Sequence, residues 1–219
     1  MAGRPREFDR EYALLKARNL FWRQGYEGTS MSDLVAELGI ASARIYKAFG
    51  SKEQLFRQAI AHYESQEGGF ADRAFAAENN VQEAIKKMLV DAVRLYSQAE
   101  LPRGCMVVAS AASVSAENDE IKTWLAEHRL QRTQQIIDRL RQAADNGEIP
   151  DTTDADSLGD YFAVFLHGLS VQDKTFLGID GNRPQSQRLH QLIRLAICRP
   201  DGSFHLVQVR ILHSVPEYG

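Results

Sequence analysis

The sequence predicts an all-α fold in which a small N-terminal three-helix domain precedes a larger helical domain. Residues 29–52 show the pattern of two short helices joined by a tight turn, and longer segments carry apolar residues at helical spacing. No strand pattern occurs before residue 200. The predicted domains are residues 1–58, residues 59–199 and a tail of uncertain structure at residues 200–219.

Residues 29–52 form the predicted helix-turn-helix. Gly39 supplies the turn, Ser42 is positioned to cap the second helix, and the apolar seam consists of Leu34, Val35, Leu38, Ile40, Ile45 and Phe49. The opposite face of the second helix would present hydrogen-bond donors, a ring and cations, namely Ser42, Arg44, Tyr46 and Lys47. Such a face suits a DNA major groove, but a solvated helical hairpin shows the same pattern.

The segments on either side fit the same arrangement. Arg4 and Arg6 lie in an N-terminal arm that is either solvated or placed in a minor groove. An amphipathic helix is predicted from Glu7 to Gln24 as a support for the hairpin. Ser51 and Gln54 form a predicted capping box, which places Lys52 at a helix start where a phosphate is favoured.

The larger domain reads as a series of helices. The linking helix is predicted to run to about Tyr63 and to end at the glycine pair 68–69. Further helices are predicted over residues 81–98, 105–116, 118–144, 154–176 and 184–197. The segment 154–176 is apolar nearly all round, which indicates a helix covered on more than one side. With the last helix, it predicts a four-helix dimer interface.

Composition narrows the possible classes of protein. The formal net charge is -3, yet residues 1–58 carry a balance of +3 and the remainder -6, as expected for a phosphate-facing first domain. Two cysteines, Cys105 and Cys198, are too few for a disulfide framework or a zinc site. With no signal peptide and no long apolar run, a cytoplasmic protein without membrane contact is expected.

The first quarter of the chain resembles the DNA-binding domain of TetR-family transcriptional repressors. The matching residues are Thr29-Ser30, Leu34-Val35-Ala36, Leu38-Gly39-Ile40, Ile45-Tyr46, Phe49 and the run from Ser51 to Phe56. Ala43 and Arg44 stand where many members have a pair containing glycine, a departure that concerns base preference. The resemblance implies a homodimeric repressor, bound to double-stranded DNA, with no cofactor. We expect Ser42, Arg44, Tyr46 and Lys47 to face the groove. We expect the DNA backbone to be held by Arg4, Arg6, Thr29 and Lys52, and Ala43 is also among the predicted DNA-binding residues.

A small-molecule inducer is expected to enter the larger domain. The side chains expected on the inward helix faces are Met88, Tyr96, Cys105, Trp124, His128, Tyr161, Phe165 and His167. They favour a mostly apolar or aromatic molecule, although the same residues could fill a solid core.

Cys105 has two interpretations. A helix start and the Arg103 cation would favour its thiolate as a sensor of oxidants or electrophiles, as in similar repressors of the family, whereas a buried packing residue is the simpler interpretation. The alternative function is a helical small-molecule-binding or catalytic protein that uses its first domain only as a scaffold. Catalysis could pair the Cys105 thiol with His128 or His167, but the sequence shows no third catalytic group and no oxyanion donors.

Overall fold

A computed structural model describes residues 9–98, 101–102 and 104–175, with side chains described through Val171. The described residues are helical and contain no strand, so the all-α prediction is confirmed. The helices are α1 (Arg10–Gln24), α2 (Met31–Leu38), α3 (Ser42–Phe49), α4 (Lys52–Ser65), α5 (Phe70–Ala77), α6 (Val81–Tyr96), α7 (Met106–Ala111), α8 (Asp119–Asp145) and α9 (Ala155–Thr175). We call α1–α3 the head and α5–α9 the body.

The head is built around a shared apolar centre. Leu34 from α2 and Ile45 and Phe49 from α3 are buried against α1 and α4. The rings of Phe21 on α1 and Phe56 on α4 meet edge to face at 5.2 Å between centroids. These contacts bury the seam predicted from sequence and fix the orientation of α3 relative to α1.

Local sequence sets where the head helices begin. Asp9 caps α1 by accepting a hydrogen bond from the Tyr12 amide, so the helix begins at Arg10 and not at the predicted Glu7. The prediction that Ser42 caps α3 was wrong: Ala41 occupies the cap position without a side-chain hydrogen bond, and Ser42 is the first helical residue. Ser42 is therefore left on the exposed side of α3.

The capping box at Ser51 and Gln54 was predicted correctly. Ser51 Oγ accepts from the Gln54 amide at 3.1 Å, and Gln54 Oε1 accepts from the Ser51 amide at 3.0 Å. The helix that it starts, α4, runs without interruption through residue 58. The predicted boundary between the first two domains thus falls inside a helix, and the division stays a prediction.

Two short body helices differ from the sequence-based prediction. Helix α5 was not predicted, because its eight residues follow a glycine pair and include only two large apolar side chains, Phe70 and Phe75. Helix α7 was predicted over residues 105–116 but is only six residues long, and Cys105 is the residue that precedes it. Turn residues and a 3-10 turn at Ala116–Asn118 occupy the rest of that segment.

The helices of the body pack against one another and against the head. Helix α8 packs most extensively against α9, α5 packs against α6, and α7 touches α1, α4, α8 and α9. Large apolar side chains remain exposed on both α8 and α9: Leu130 of α8 is 67% exposed and Val164 of α9 is 69% exposed. The predicted helix 184–197, the tail 200–219, Arg4, Arg6 and Cys198 lie outside the described residues.

A buried cation joins the head to the residues after α4. Arg18 of α1 is 2% exposed, and its Nη1 donates to Glu67 Oε2 at 2.6 Å and lies 3.2 Å from His62 Nδ1. Removing one partner of such a pair leaves the other charge without compensation. We expect Arg18→Met to lower the free energy of unfolding by about 3 kcal/mol in urea denaturation.

The matched control for this prediction is a surface arginine. Arg94 of α6 pairs with Asp91 at 3.2 Å but its side chain is 68% exposed. Arg94→Met should change the free energy of unfolding by no more than about 0.5 kcal/mol. Equal effects of the two substitutions would contradict a special role for the Arg18 pair.

Candidate nucleic-acid interface and effector pocket

The outer face of α3 is the candidate nucleic-acid interface. Ile45 and Phe49 point inward, with 1% and 3% exposure. The residues predicted to contact DNA are all exposed on the opposite side: Ser42, Ala43, Arg44, Tyr46 and Lys47. The Tyr46 ring is 49% exposed. Helix α3 therefore presents a row of donors, cations and one ring to solvent.

The turn before α3 is fixed by local chemistry. Ser30 and Asp33 form a reciprocal capping box at the start of α2, and hydrogen bonds from Ser30 hold the pKa of Asp33 below its ordinary value. At the other end, Gly39 ends α2 at φ 70° with its amide donating to Val35 O. A Cβ at Gly39 would meet nothing within 4 Å, so backbone conformation alone selects glycine here.

Lys52 lies beside this face at the first position of α4. Its Nζ is 4.3 Å from the centroid of the Tyr26 ring, and burial lowers its pKa while the charges of Glu27 and Asp33 oppose that shift. The cation is thus held in one place by a ring and a helix start. A fixed cation next to free helix amides is suited to a phosphate.

Thr29 requires a correction. It was expected to hold the DNA backbone, but its side chain is 0% exposed and its hydroxyl donates to Gly25 O at 2.8 Å. That hydroxyl is used inside the head, where it supports the turn between α1 and α2. The predicted contact through the Thr29 side chain is therefore withdrawn.

Arg10 is a residue of this region that sequence reasoning did not assign. Its guanidinium lies 4.9 Å from the Phe49 centroid, and it donates to Ala48 O at 3.4 Å and to Gln58 Oε1. It therefore ties α1 to the end of α3 and to α4. The position of Arg10 in an amphipathic helix could not predict this role, because its partners lie on two other helices.

Contacts among the described residues join the head to the body and to α4. The Trp22 indole N–H donates to Gly104 O at 3.1 Å inside the protein. Glu27 accepts from the Ser115 amide and hydroxyl and from Asn118, and these bonds hold the Glu27 pKa below its ordinary value. The Trp22 ring also packs edge to face on Tyr63 of α4, at 4.8 Å between centroids.

A pocket lies on the body side of these contacts. It lies between α4, α6, α7, α8 and α9, and its cavity volume is about 40 Å³, well below the range of about 300–1,000 Å³ that small-molecule sites occupy. The lining combines apolar side chains with hydroxyl, imidazole and charged groups, namely Tyr63, Glu64, Phe70, Tyr96, Cys105, Val107, Val108, His128, Arg129, Arg132, Ala163, Leu166 and His167, together with Gly68.

Of the predicted ligand residues, Tyr96, Cys105, His128 and His167 line this pocket. The structure places the other predicted residues elsewhere. Met88 is fully buried in the core. Tyr161 stacks on Phe165 with 6.3 Å between the ring centroids, and neither residue is part of the pocket lining. Trp124 packs behind His128 at 4.3 Å. Helical spacing indicated that these residues face inward, but it does not distinguish a side chain in the packed core from one that lines a cavity.

The charged lining was not predicted. Glu64 of α4 accepts from His128 Nδ1 at 2.9 Å, and Arg132 of α8 donates to Gly68 O at 3.1 Å. Arg129, one helical turn from Arg132, brings a further cation to the pocket. These residues lie on helix faces that read as polar and solvated in the sequence.

Cys105 lies at the tyrosine side of the pocket. Its amide donates to Ser170 Oγ of α9 at 2.7 Å, and its thiol contributes to the raised pKa values of the fully buried Tyr63 and Tyr96, for which burial is the larger cause. Among the described residues, no hydrogen bond joins Cys105 to a histidine, so the thiol and base pair is not formed. The thiol is half-buried and not in a disulfide.

Within residues 9–98, 101–102 and 104–175, no helix is both long and apolar enough to cross a bilayer. No group of three His, Cys, Asp or Glu side chains in the same part of the chain could hold a metal ion.

Comparison with known proteins gives two separate family matches. Residues 13–59 match the family described as bacterial regulatory proteins, tetR family. Residues 82–176 match the family described as tetracyclin repressor-like, C-terminal domain. The first match contains the helix-turn-helix, and the second contains α6 to α9 with most of the pocket.

Curated relatives and solved structures agree with these matches. The chain is 29% identical to the HTH-type transcriptional repressor ComR of Escherichia coli strain K12 over 77% of this chain and 81% of the relative. It is 30% identical to the uncharacterized HTH-type regulator YezE of Bacillus subtilis strain 168, over 73% of this chain and 82% of the relative.

Among solved structures, a cysteine mutant of the regulator CifR bound to a 26-bp operator duplex is similar with a TM-score of 0.80 and 34% identity. That similarity covers 89% of this chain and 97% of the other. The helical fold accordingly has its counterpart in a known regulator, and the chain belongs to the TetR family of bacterial transcriptional regulators.

Proposed function

We propose that this repressor binds a near-palindromic operator as a homodimer and is released when a small molecule fills the pocket between α4 and α8. Binding of operator DNA is the activity of the family. The observation that carries the finer proposal is the hydrogen bond between Glu64 of α4 and His128 of α8, because it links the pocket wall directly to the helix that follows the head.

The DNA-facing part of the proposal rests on α3 and the start of α4. Ser42, Arg44, Tyr46 and Lys47 would reach base edges from the exposed face of α3, while Lys52 would hold a phosphate. Arg4 and Arg6 stay assigned to the DNA backbone as a prediction. Ala43 is small enough for α3 to approach the groove closely.

The dimer interface was predicted from α9 and the helix 184–197, and the latter lies outside the described residues. Within the described residues, the dimer is supported by exposed apolar side chains of α9 and also of α8. Leu130 and Val164 come from α8 and α9, the two helices that pack most extensively on each other. A second copy related by a two-fold axis would bury both patches and present two heads at a fixed spacing. Two identical heads read two identical half-sites, so the operator should be a near-palindrome.

Release follows from the position of the pocket. A molecule between α4 and α8 would compete with the Glu64–His128 hydrogen bond and push on Tyr63, which packs on Trp22 of α1. Displacement of α4 moves the head relative to its partner in the dimer. Ligand then favours a head spacing that does not match the operator, which is the condition for a change in DNA affinity.

We expect Lys52→Ala and Arg44→Ala to weaken DNA binding in different ways. Lys52→Ala should weaken binding to operator and random duplexes about equally. It should also reduce the slope of log affinity against log salt concentration by about one, because one phosphate contact is lost. Arg44→Ala should reduce preference for the operator by about tenfold, because it removes a base contact. Fluorescence anisotropy across a range of salt concentrations measures both effects.

Lys86→Ala is a suitable control, since Lys86 pairs with Glu83 on the body surface and is far from α3 in the fold. It should leave both the affinity and the salt slope unchanged. A uniform loss from Arg44→Ala, or a selective loss from Lys52→Ala, would reverse the assignments of base and phosphate contacts.

A further inference from the structure

Two polar groups that line the pocket have no hydrogen-bond partner. The Tyr63 side chain is 1% exposed, and its hydroxyl makes no hydrogen bond of acceptable geometry within the described part of the chain, although the Cys105 thiol is near enough to influence its pKa. Nε of Arg129 is also buried and unpartnered among the described residues. Leaving a buried donor unpaired costs free energy, so each group favours an acceptor brought by a ligand.

The charge around these donors is also unbalanced. Glu64 is already engaged by His128, and Arg132 donates to Gly68 O and lies 3.9 Å from Asp72. Among the described residues, no carboxylate forms an ion pair with Arg129. The Arg129 charge, with burial as the larger cause, lowers the pKa of His167, as expected for a cation that is not neutralised.

Aliphatic side chains form another part of the pocket lining. Val107 and Val108 come from α7, and Ala163 and Leu166 come from α9. An occupant would therefore meet both hydrogen-bond donors and aliphatic side chains. The Nε–H edge of an arginine, with one terminal N–H, matches the two oxygens of a carboxylate.

We propose that the pocket binds a small aliphatic or aromatic monocarboxylate, whose carboxylate accepts hydrogen bonds from Arg129 Nε and the Tyr63 hydroxyl. Its apolar body lies against Val107 and Leu166, and binding requires the pocket to widen, because the cavity of the ligand-free protein has a volume of about 40 Å³. This inference deepens the proposed function, on which it rests for the role of the pocket in release. It refines the expectation of a mostly apolar or aromatic inducer to a molecule that carries one anionic end.

Isothermal titration calorimetry without DNA tests the proposal on the full-length protein. The probes are hexanoate, octanoate, benzoate and phenylacetate, each compared with its neutral amide. We expect at least one acid to bind with a Kd below about 1 mM and its amide to bind at least about tenfold more weakly, because the amide lacks the charge that pairs with Arg129. No acid below that limit, or amides that match their acids, would overturn the proposal.

Variants of the two donors sharpen the test. Arg129→Lys keeps the charge but removes Nε, and it should weaken binding of the acid at least about tenfold. Arg141→Lys is the control on the same helix, since Arg141 pairs with Asp156 outside the pocket, and it should leave the affinity unchanged. An Arg129→Lys protein that binds the acid as well as the wild type would remove Arg129 from the site.

Tyr63→Phe separates a binding role from a packing role. Removing an unpaired buried hydroxyl should leave the Tm of the ligand-free protein unchanged or higher, while affinity for the acid falls at least about fivefold. A lower Tm with unchanged affinity would give the hydroxyl a packing role and overturn its assignment. Because no DNA is present, acid binding in a protein that fails to bind an operator would refute the proposed function and leave this inference standing.

Discussion

Leu130→Asp and Val164→Asp should each convert the protein to a monomer and lower its affinity for a two-half-site operator by about 100-fold. Both side chains are more than half exposed on the described subunit, so a buried carboxylate in the dimer is the main consequence of each change. Two linked heads bind more tightly than one by a factor of about 10²–10⁴. Sedimentation velocity gives the oligomeric state, and fluorescence anisotropy gives the affinity.

Gln135→Glu provides the control for these substitutions. It adds the same negative charge to α8, but Gln135 lies on the side of that helix that faces Asp72 and Phe75 of α5. The control should remain dimeric and keep its operator affinity within about threefold. An aspartate variant that sediments as a dimer, or a monomer that keeps full affinity, would show that α8 and α9 do not form the interface.

Alkylation of Cys105 with N-ethylmaleimide should release the protein from its operator, with a loss of affinity of at least about tenfold. The thiolate sulfur adds to the maleimide alkene carbon, and the neighbouring alkene carbon takes up a proton, so no oxidant is needed. The adduct occupies the pocket beside Tyr63 and Tyr96 and acts as a bound ligand would. Cys105→Ser should bind the operator normally and should not respond to the reagent.

Cys198 is the other thiol of the chain and supplies the control. A Cys198→Ser protein should respond to N-ethylmaleimide like the wild type, with mass spectrometry used to confirm one adduct at Cys105. If the Cys105→Ser protein still releases DNA after treatment, Cys105 has no part in the response and serves as packing.

The helix-turn-helix could be predicted closely from the sequence because its signals are local. Gly39 at a left-handed turn, the Ser51 and Gln54 capping box, and the buried pair Ile45 and Phe49 each depend on residues within a few positions. The prediction that Ser42 caps α3 also relied on a local pattern, and it was wrong. A serine before a helical run usually caps it, but here the preceding Ala41 takes the cap position.

The pocket was predicted only in part because its composition depends on contacts between distant segments. Periodicity identified the inward faces that carry Met88, Tyr96 and His167, but it could not distinguish the core from a cavity. Glu64 and Arg129 were missed because each lies on a helix face that appears solvated when that helix is considered alone. Only their meeting across α4 and α8 shows that they share a site.

Both tryptophans of the chain contact residues from other parts of the fold. Trp22 reaches from α1 to the carbonyl of Gly104, while Trp124 packs between His128 at 4.3 Å and the Arg57 guanidinium at 4.7 Å. Indole emission shifts with local polarity and is quenched by neighbouring groups. The protein therefore carries intrinsic fluorophores at the head and at the pocket, and stopped-flow emission could give the rate of switching without an attached dye.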